Sequence, residues 1–113
     1  MTRGEIYTAA ARGHYSGKPR PVVIVQDDRF DATASVAVCP FTTNPVDAPL
    51  VRLPIEPSGQ NGLDEPSRVM VDKVTTVPRS SLRDRLGRLQ EDELLQLNRS
   101  LIVFLGLASA HQP

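Results

Sequence analysis

The sequence predicts a mainly β fold that carries one C-terminal α-helix, and three observations lead there. Ten prolines and seven glycines in 113 residues break the chain into brief segments, which suits strands and loops better than long helices. The apolar runs are short and β-branched, as in Val22-Val23-Ile24-Val25 and Val36-Ala37-Val38. Only near the end do large apolar residues recur at helical spacing, at Leu94, Leu97, Leu101 and Phe104.

Taken in order, Glu5 to Ala9 alternates weakly and reads as a first strand. Residues 12–19 are rich in turn and breaker residues and form a mobile loop. Pro21 has no N–H for a ladder, so it belongs at the start of the second strand, Val22 to Val25. Asp27 to Asp31 is a polar connection with room for one helical turn, and Ser35 to Phe41 is the third strand. Leu50 to Leu53, between Pro49 and Pro54, is a short edge strand. Residues 54–67 form a long surface loop. Arg68 to Val77 is the longest strand, with a bulge near Asp72-Lys73, and Leu86 to Leu89 is a last short one. Glu91-Asp92-Glu93 places acids where a helix dipole favours them, and Gly106 stops the helix. The domain spans residues 1–108, and 109–113, with His111, is a disordered tail.

Composition bounds the function. At this length there is no room for a separate cofactor domain. A net charge of zero argues against a generic nucleic-acid coat protein but leaves room for a local basic cleft. The first 25 residues are basic, with Arg3, Arg12, Lys18 and Arg20 against Glu5 alone. The single cysteine, Cys39, has no partner for a disulfide and reads as a buried, inert thiol in a reducing compartment. Leu101 to Ala108 falls far short of the roughly 20 residues that span a bilayer. A soluble, cytoplasmic protein is the expectation.

Two strand ends carry chemistry. Arg20 precedes one valine-rich strand, and its planar fork of donors suits a phosphodiester. Thr42 and Thr43 follow the other, with hydroxyls able to donate to a phosphoryl oxygen. In isolation Arg20 is a surface arginine between prolines, and the threonines are a turn whose hydroxyls bond nearby backbone. Brought together, the ends make a small phosphate-binding corner, which is most of what phosphoryl chemistry needs. His14, six residues before Arg20, is of a residue type suited to acid/base work, and Tyr15 offers an aromatic face for stacking. Asp72 is an acid in mid-strand, read either as a groove residue that bonds a base or orients Arg20, or as a solvated carboxylate. Arg79, Arg83, Arg85 and Arg88 read as solvated surface.

Several short motifs resemble the MazF/PemK toxins in the same order: Arg3-Gly4-Glu5-Ile6-Tyr7, Arg20-Pro21, Pro40-Phe41-Thr42-Thr43, Asn61-Gly62-Leu63, Pro66-Ser67, and Val71-Asp72-Lys73-Val74 with Val77-Pro78. The likeness runs from about Arg3 to about Gly106. It implies an SH3-like β-barrel homodimer, the toxin of a type II toxin–antitoxin pair, that cuts single-stranded RNA at a short motif without a metal or other cofactor. It maps the catalytic arginine onto Arg20 and the catalytic Ser/Thr onto Thr42, with Thr43 in support. It also implies 2′,3′-cyclic phosphate and 5′-OH ends, and an antitoxin whose acidic, partly disordered tail fills the RNA groove. Arg12, Tyr15 and Lys18 are then RNA-binding residues of the loop. Better-known members carry a glutamate where this chain has Tyr15, which leaves the general base open between His14 and no dedicated base at all. The alternatives are a non-catalytic, gyrase-binding toxin like CcdB on the same barrel, or a degenerate relative that only binds RNA or a partner.

Overall fold

The computed structural model describes residues 1–10 and 19–107. Seven strands run β1 (Glu5–Ala9), β2 (Arg20–Ile24), β3 (Ser35–Thr42), β4 (Arg52–Ile55), β5 (Ser67–Met70), β6 (Thr75–Pro78) and β7 (Leu82–Arg88), followed by helix α1 (Glu91–Phe104). They form one antiparallel sheet in the order β4-β5-β3-β2-β1-β7, with β6 beside β3. The expected barrel is not closed by a ladder: among the described residues β4 and β7 are the two ends of the sheet. The loop leaving β4 bridges that gap instead, where the Arg88 N–H donates to the Gln60 carbonyl at 2.9 Å.

That loop is built around Asn61, which is buried. Its carboxamide oxygen accepts from the N–H groups of Ser58 and Leu63, both at 3.0 Å, and its amide donates to the Glu56 carbonyl at 2.8 Å. A buried polar side chain so fully bonded organises the backbone around it. Two glycines let the loop reach β7. Gly62 holds a positive φ of 70°, and a Cβ on Gly87 would lie 2.1 Å from the Gln60 carbonyl oxygen. The Asn61-Gly62-Leu63 motif is thus a docking device.

The sheet buries two faces. Ile6, Val23, Cys39, Phe41, Leu53, Ile55, Val69 and Val71 pack with Leu97 and Leu101 of α1 in the larger cluster. Ala9, Val22, Ile24, Val36 and Val38 form the smaller one on the other face. Burial on both faces explains the unbroken apolar runs of β2 and β3. Helix α1 opens with a capping box between Gln90 and Glu93 and carries Glu91, Asp92 and Glu93 in its first turn. It closes on Gly106 (φ 72°) with Leu107 N–H to Ile102 O and Gly106 N–H to Val103 O, the paired bonds of a Schellman motif. Phe104, expected on the apolar stripe, is 43% exposed, whereas Leu97 and Leu101 on the same stripe are buried.

Other expectations shift. The connection at 27–31 does hold a single 3-10 turn, Asp28–Phe30. The edge strand starts two residues later than expected and includes Pro54, whose ring faces out. The long strand from Arg68 is two strands separated by a 3-10 turn at Val71–Lys73. The last strand is seven residues rather than four: Arg83-Asp84-Arg85 looks like loop in sequence, yet Arg85 pairs with Tyr7 of β1, Leu82 with Ala9, and the Asp84 N–H donates to the Thr8 hydroxyl. Arg85 is bonded to Glu5, Arg79 donates to the Thr33 carbonyl, and Arg83 and Arg88 are exposed. Burial pushes the Glu5 carboxyl up, but the bonds from Arg85 and Thr2 outweigh it and hold it at about 2.

Asn61→Ala removes an acceptor from two backbone donors and a donor from one carbonyl. Urea denaturation is expected to show a loss of about 3 kcal/mol, far more than Gln60→Ala on the same loop.

Candidate active site

β2 and β3 pair through Val22–Pro40, Val23–Cys39 and Ile24–Val38. The pairing ends at Val22–Pro40; continued two residues further, the same register brings Arg20, the first residue of β2, opposite Thr42, the last of β3. On its other edge Thr42 pairs with Arg68 of β5, and Arg68 pairs with Pro54 of β4. Residues opposite one another in a sheet share a face, so Arg20, Thr42, Arg68 and Pro54 form one row across four strands. Neighbouring strands lie about 5 Å apart, so the row brackets Thr42 between an arginine on either neighbouring strand.

Arg20 is exposed and Thr42 half-buried. The Thr42 hydroxyl oxygen accepts from the Asn44 N–H at 3.1 Å. That bond orients the side chain and leaves the hydroxyl's own proton to donate elsewhere. Thr43 is exposed. It lines a cleft of about 180 Å³ with Pro45, Pro54, Glu56, Pro66 and Arg68.

Asp72 lies apart from this row. Arg52 grips its carboxylate with two bonds, Nε at 2.9 Å and a terminal amine at 3.1 Å. Those bonds hold the Asp72 carboxyl below its ordinary range despite partial burial. Among the described residues no hydrogen bond joins Asp72 to Arg20, so its observed contact is a structural tie from the 3-10 turn to β4. Cys39 is buried, and burial pushes its thiol up to about 12, so it is no nucleophile at neutral pH. Arg12, His14, Tyr15, Lys18 and His111 lie outside the described residues.

Sequence reading missed Arg68 and Glu56. The alternation Ser67 buried, Arg68 half-buried, Val69 buried marks Arg68 as outward-facing. Nothing in a single strand says that its cross-strand neighbour is Thr42.

Residues 2–105 match the family of PemK-like, MazF-like toxins of type II toxin–antitoxin systems. The chain belongs to that family. It is 65% identical over 108 residues to the probable endoribonuclease MazF of Mycolicibacterium smegmatis, covering 96% of this chain and 99% of that one. Among solved structures it resembles an endoribonuclease in complex with its cognate antitoxin from a mycobacterial species, with a TM-score of 0.78 at 25% identity, covering 100% of this chain and 99% of that one. It also resembles the Mycobacterium tuberculosis toxin MazF-mt6, with a TM-score of 0.76 at 25% identity over 90% of this chain and 96% of that one. A MazF of Deinococcus radiodurans, at 20% identity and a TM-score of 0.73, shares the fold. The chain therefore shares its overall fold with these solved toxins.

Arg52→Ala leaves the Asp72 carboxylate without its partner and is expected to cost about 1–3 kcal/mol. Because the folded-state pKa of Asp72 is lowered, the pair's contribution is present above the ordinary carboxylate value of 3.8 and is lost as pH falls below it. Urea melts at pH 7 and pH 3 should show the gap between variant and wild type shrinking in acid.

Proposed function

We propose that this protein is a metal-independent endoribonuclease, the toxin of a type II toxin–antitoxin pair, and that its reaction runs at the Arg20–Thr42 corner. The observation that supports this reading is the β2–β3 register, which, continued two residues past Val22–Pro40, brings Arg20 opposite Thr42. The 65% identity to a probable endoribonuclease MazF over nearly the whole chain supports the activity.

In the proposed reaction the 2′-oxygen of one ribose attacks the adjacent phosphorus, and the bond from phosphorus to the 5′-oxygen of the next nucleotide breaks. The products are a 2′,3′-cyclic phosphate and a free 5′-OH, the leaving 5′-oxygen taking its proton from water. Arg20 stabilises the charge that grows on the non-bridging oxygens, the task a permanently charged fork does best. A guanidinium with a pKa above about 12 is a poor proton acceptor, so Arg20 is not the base. Thr42 donates its hydroxyl to a phosphoryl oxygen while Asn44 fixes its other side. Thr43 supports the turn. His14 is the side chain whose ordinary pKa suits removal of the 2′-OH proton. Arg12, Tyr15 and Lys18 would hold the strand beside it.

A sheet this small offers a shallow groove, and a second copy of the chain would deepen it, as the family resemblance implies. The cognate antitoxin would occupy that groove with an acidic segment, a pairing supported by the related mycobacterial endoribonuclease solved with its antitoxin. No helix among the described residues is long and apolar enough to cross a membrane, and we place the toxin in the cytoplasm with its messenger RNA substrate.

Purified protein incubated with a long single-stranded RNA in EDTA is expected to make discrete cuts with 5′-OH ends. Arg20→Ala and Thr42→Ala, folded by circular dichroism, should each lose about 100- to 1,000-fold in rate. No cutting by the wild type over many RNA sequences would overturn the reading.

A further inference from the structure

Thr42 has a second arginine for a neighbour, and the ladder holds that one in place. The Val71 N–H donates to the Val51 carbonyl at 2.9 Å, which marks 51 and 71 as a hydrogen-bonded pair of β4 and β5. The next such pairs are 53 with 69 and 55 with 67, so the odd-numbered residues of β5 face β4. Arg68 therefore turns its backbone N–H and carbonyl to β3, where its partner is Thr42. In a hydrogen-bonded pair the two Cα atoms lie about 5.5 Å apart. On its other edge Arg68 meets Pro54 in a pair that needs no ladder bond, so the missing proline N–H costs nothing there. The surroundings of Arg68 are unusual too. Arg3, Arg29, Arg52, Arg79 and Arg85 each bond a carboxylate or a backbone carbonyl. Of the other described arginines, which make no such bond, Arg68 alone is half-buried and the rest are exposed. A half-buried guanidinium without an acid carries a desolvation cost that a bound anion would offset. Glu56, just past β4, lines the same cleft but stands across β5 from Thr42. It repels an anion from that side and leaves the side of Thr42.

We propose that Arg68 is a second catalytic arginine, which grips the reacting phosphate from the side of Thr42 opposite Arg20. The inference rests on the nuclease reading of the Arg20–Thr42 corner. A carboxylate can turn both of its oxygens to one guanidinium fork. The two non-bridging oxygens of a phosphodiester diverge, so each takes its own arginine while the Thr42 hydroxyl donates between them. Each arginine is one strand from Thr42, about 5 Å across the sheet, which puts a phosphate seated over Thr42 within reach of both. As the 2′-oxygen bonds to phosphorus and the 5′-oxygen leaves, negative charge grows on both non-bridging oxygens. One permanently charged fork stabilises each of them, and no proton passes to or from Arg68. The two forks differ in how they are held. Arg20 stands where the β2–β3 ladder has opened, whereas Arg68 is tied to Thr42 itself. A donor fixed beforehand has little reorganising to do in the transition state.

A double-mutant cycle between Arg68 and single phosphate charges tests this. The RNA is a short oligonucleotide spanning a mapped cut, its attacking 2′-hydroxyl replaced by hydrogen so that it binds without being cleaved. One phosphate at a time is made neutral as a methylphosphonate. Fluorescence anisotropy then gives the affinity for wild type, Arg68→Met and Arg68→Gln, with circular dichroism to check each fold. Both substitutes keep most of the stem, and either one completes the cycle if the other fails to fold. The expected result is a coupling of at least about 5-fold at the scissile phosphate and additive effects at every other one. In single-turnover cleavage at saturating RNA, the neutral variants should lose on the order of 100-fold in rate. Arg68→Lys, which keeps the charge without the fork, should recover part of that loss. Coupling at a neighbouring phosphate instead, or additive effects throughout, overturns the proposal, while cutting by the wild type keeps the nuclease reading. An unchanged single-turnover rate in the neutral variants overturns it too, as does a loss of antitoxin binding alone. Failure of the wild type to cut any RNA overturns the nuclease reading and this assignment with it.

Discussion

The site depends on two missing N–H groups, those of Pro21 and Pro40. Val25 donates to the Ala37 carbonyl at 3.0 Å, which marks 25 and 37 as a hydrogen-bonded pair. Such pairs alternate, so 23 with 39 and 21 with 41 come next. Pro21 has nothing to donate to Phe41, and the β2–β3 ladder stops one pair earlier, at Val22–Pro40. The even-numbered residues of β3 face its other edge. There β6 pairs as far as Val38–Thr75, and β5 resumes at Phe41–Val69. Pro40 lies in the gap with no N–H to offer, and the partner chain spends Met70 to Val74 crossing it through a 3-10 turn. Proline in a central strand is tolerated only where the ladder is already broken.

The consequence is a strand released on one edge and re-registered on the other just where Thr42 sits. Thr42 keeps Arg68 as a backbone partner, while Arg20 faces it across an opened ladder with no cross-strand bond to close the space. A phosphodiester needs room and positive charge together, and this is where the sheet supplies both. The rest of the fold holds that corner still. Val23, Cys39 and Phe41 anchor the same strands in the larger cluster, and Val22 and Val38 anchor them in the smaller. The Asn61 loop and the Arg52–Asp72 pair fix the β4–β5 hairpin that carries Arg68.

Much of this is legible in the sequence, for local reasons. Strand starts and stops coincide with prolines and glycines, and the helix announces itself by leucine spacing and first-turn acids. What is illegible is pairing. The break in the Arg68–Val77 run is caused by Pro40, some thirty residues earlier in the chain. The strand character of Arg83-Asp84-Arg85 comes from β1 across the sheet, and the partner of Asp72 lies 20 residues away on β4. Arg20 and Thr42 stand out in the sequence because each borders an apolar run, Arg20 before one and Thr42 after the other. Arg68 and Glu56 lie inside runs that look ordinary, and only the register joins them to the site. Phe104 has the right spacing and is still exposed, since periodicity gives a residue's face and not its depth.

The most direct test is a crystal structure of the protein with an RNA spanning a mapped cut, its attacking 2′-hydroxyl replaced by hydrogen. One scissile phosphate contacted by both the Arg20 guanidinium and the Thr42 hydroxyl is the expected result. A phosphate seated elsewhere, with Arg20 and Thr42 left in solvent or spanned by separate phosphates, would contradict a single catalytic corner where the β2–β3 ladder ends.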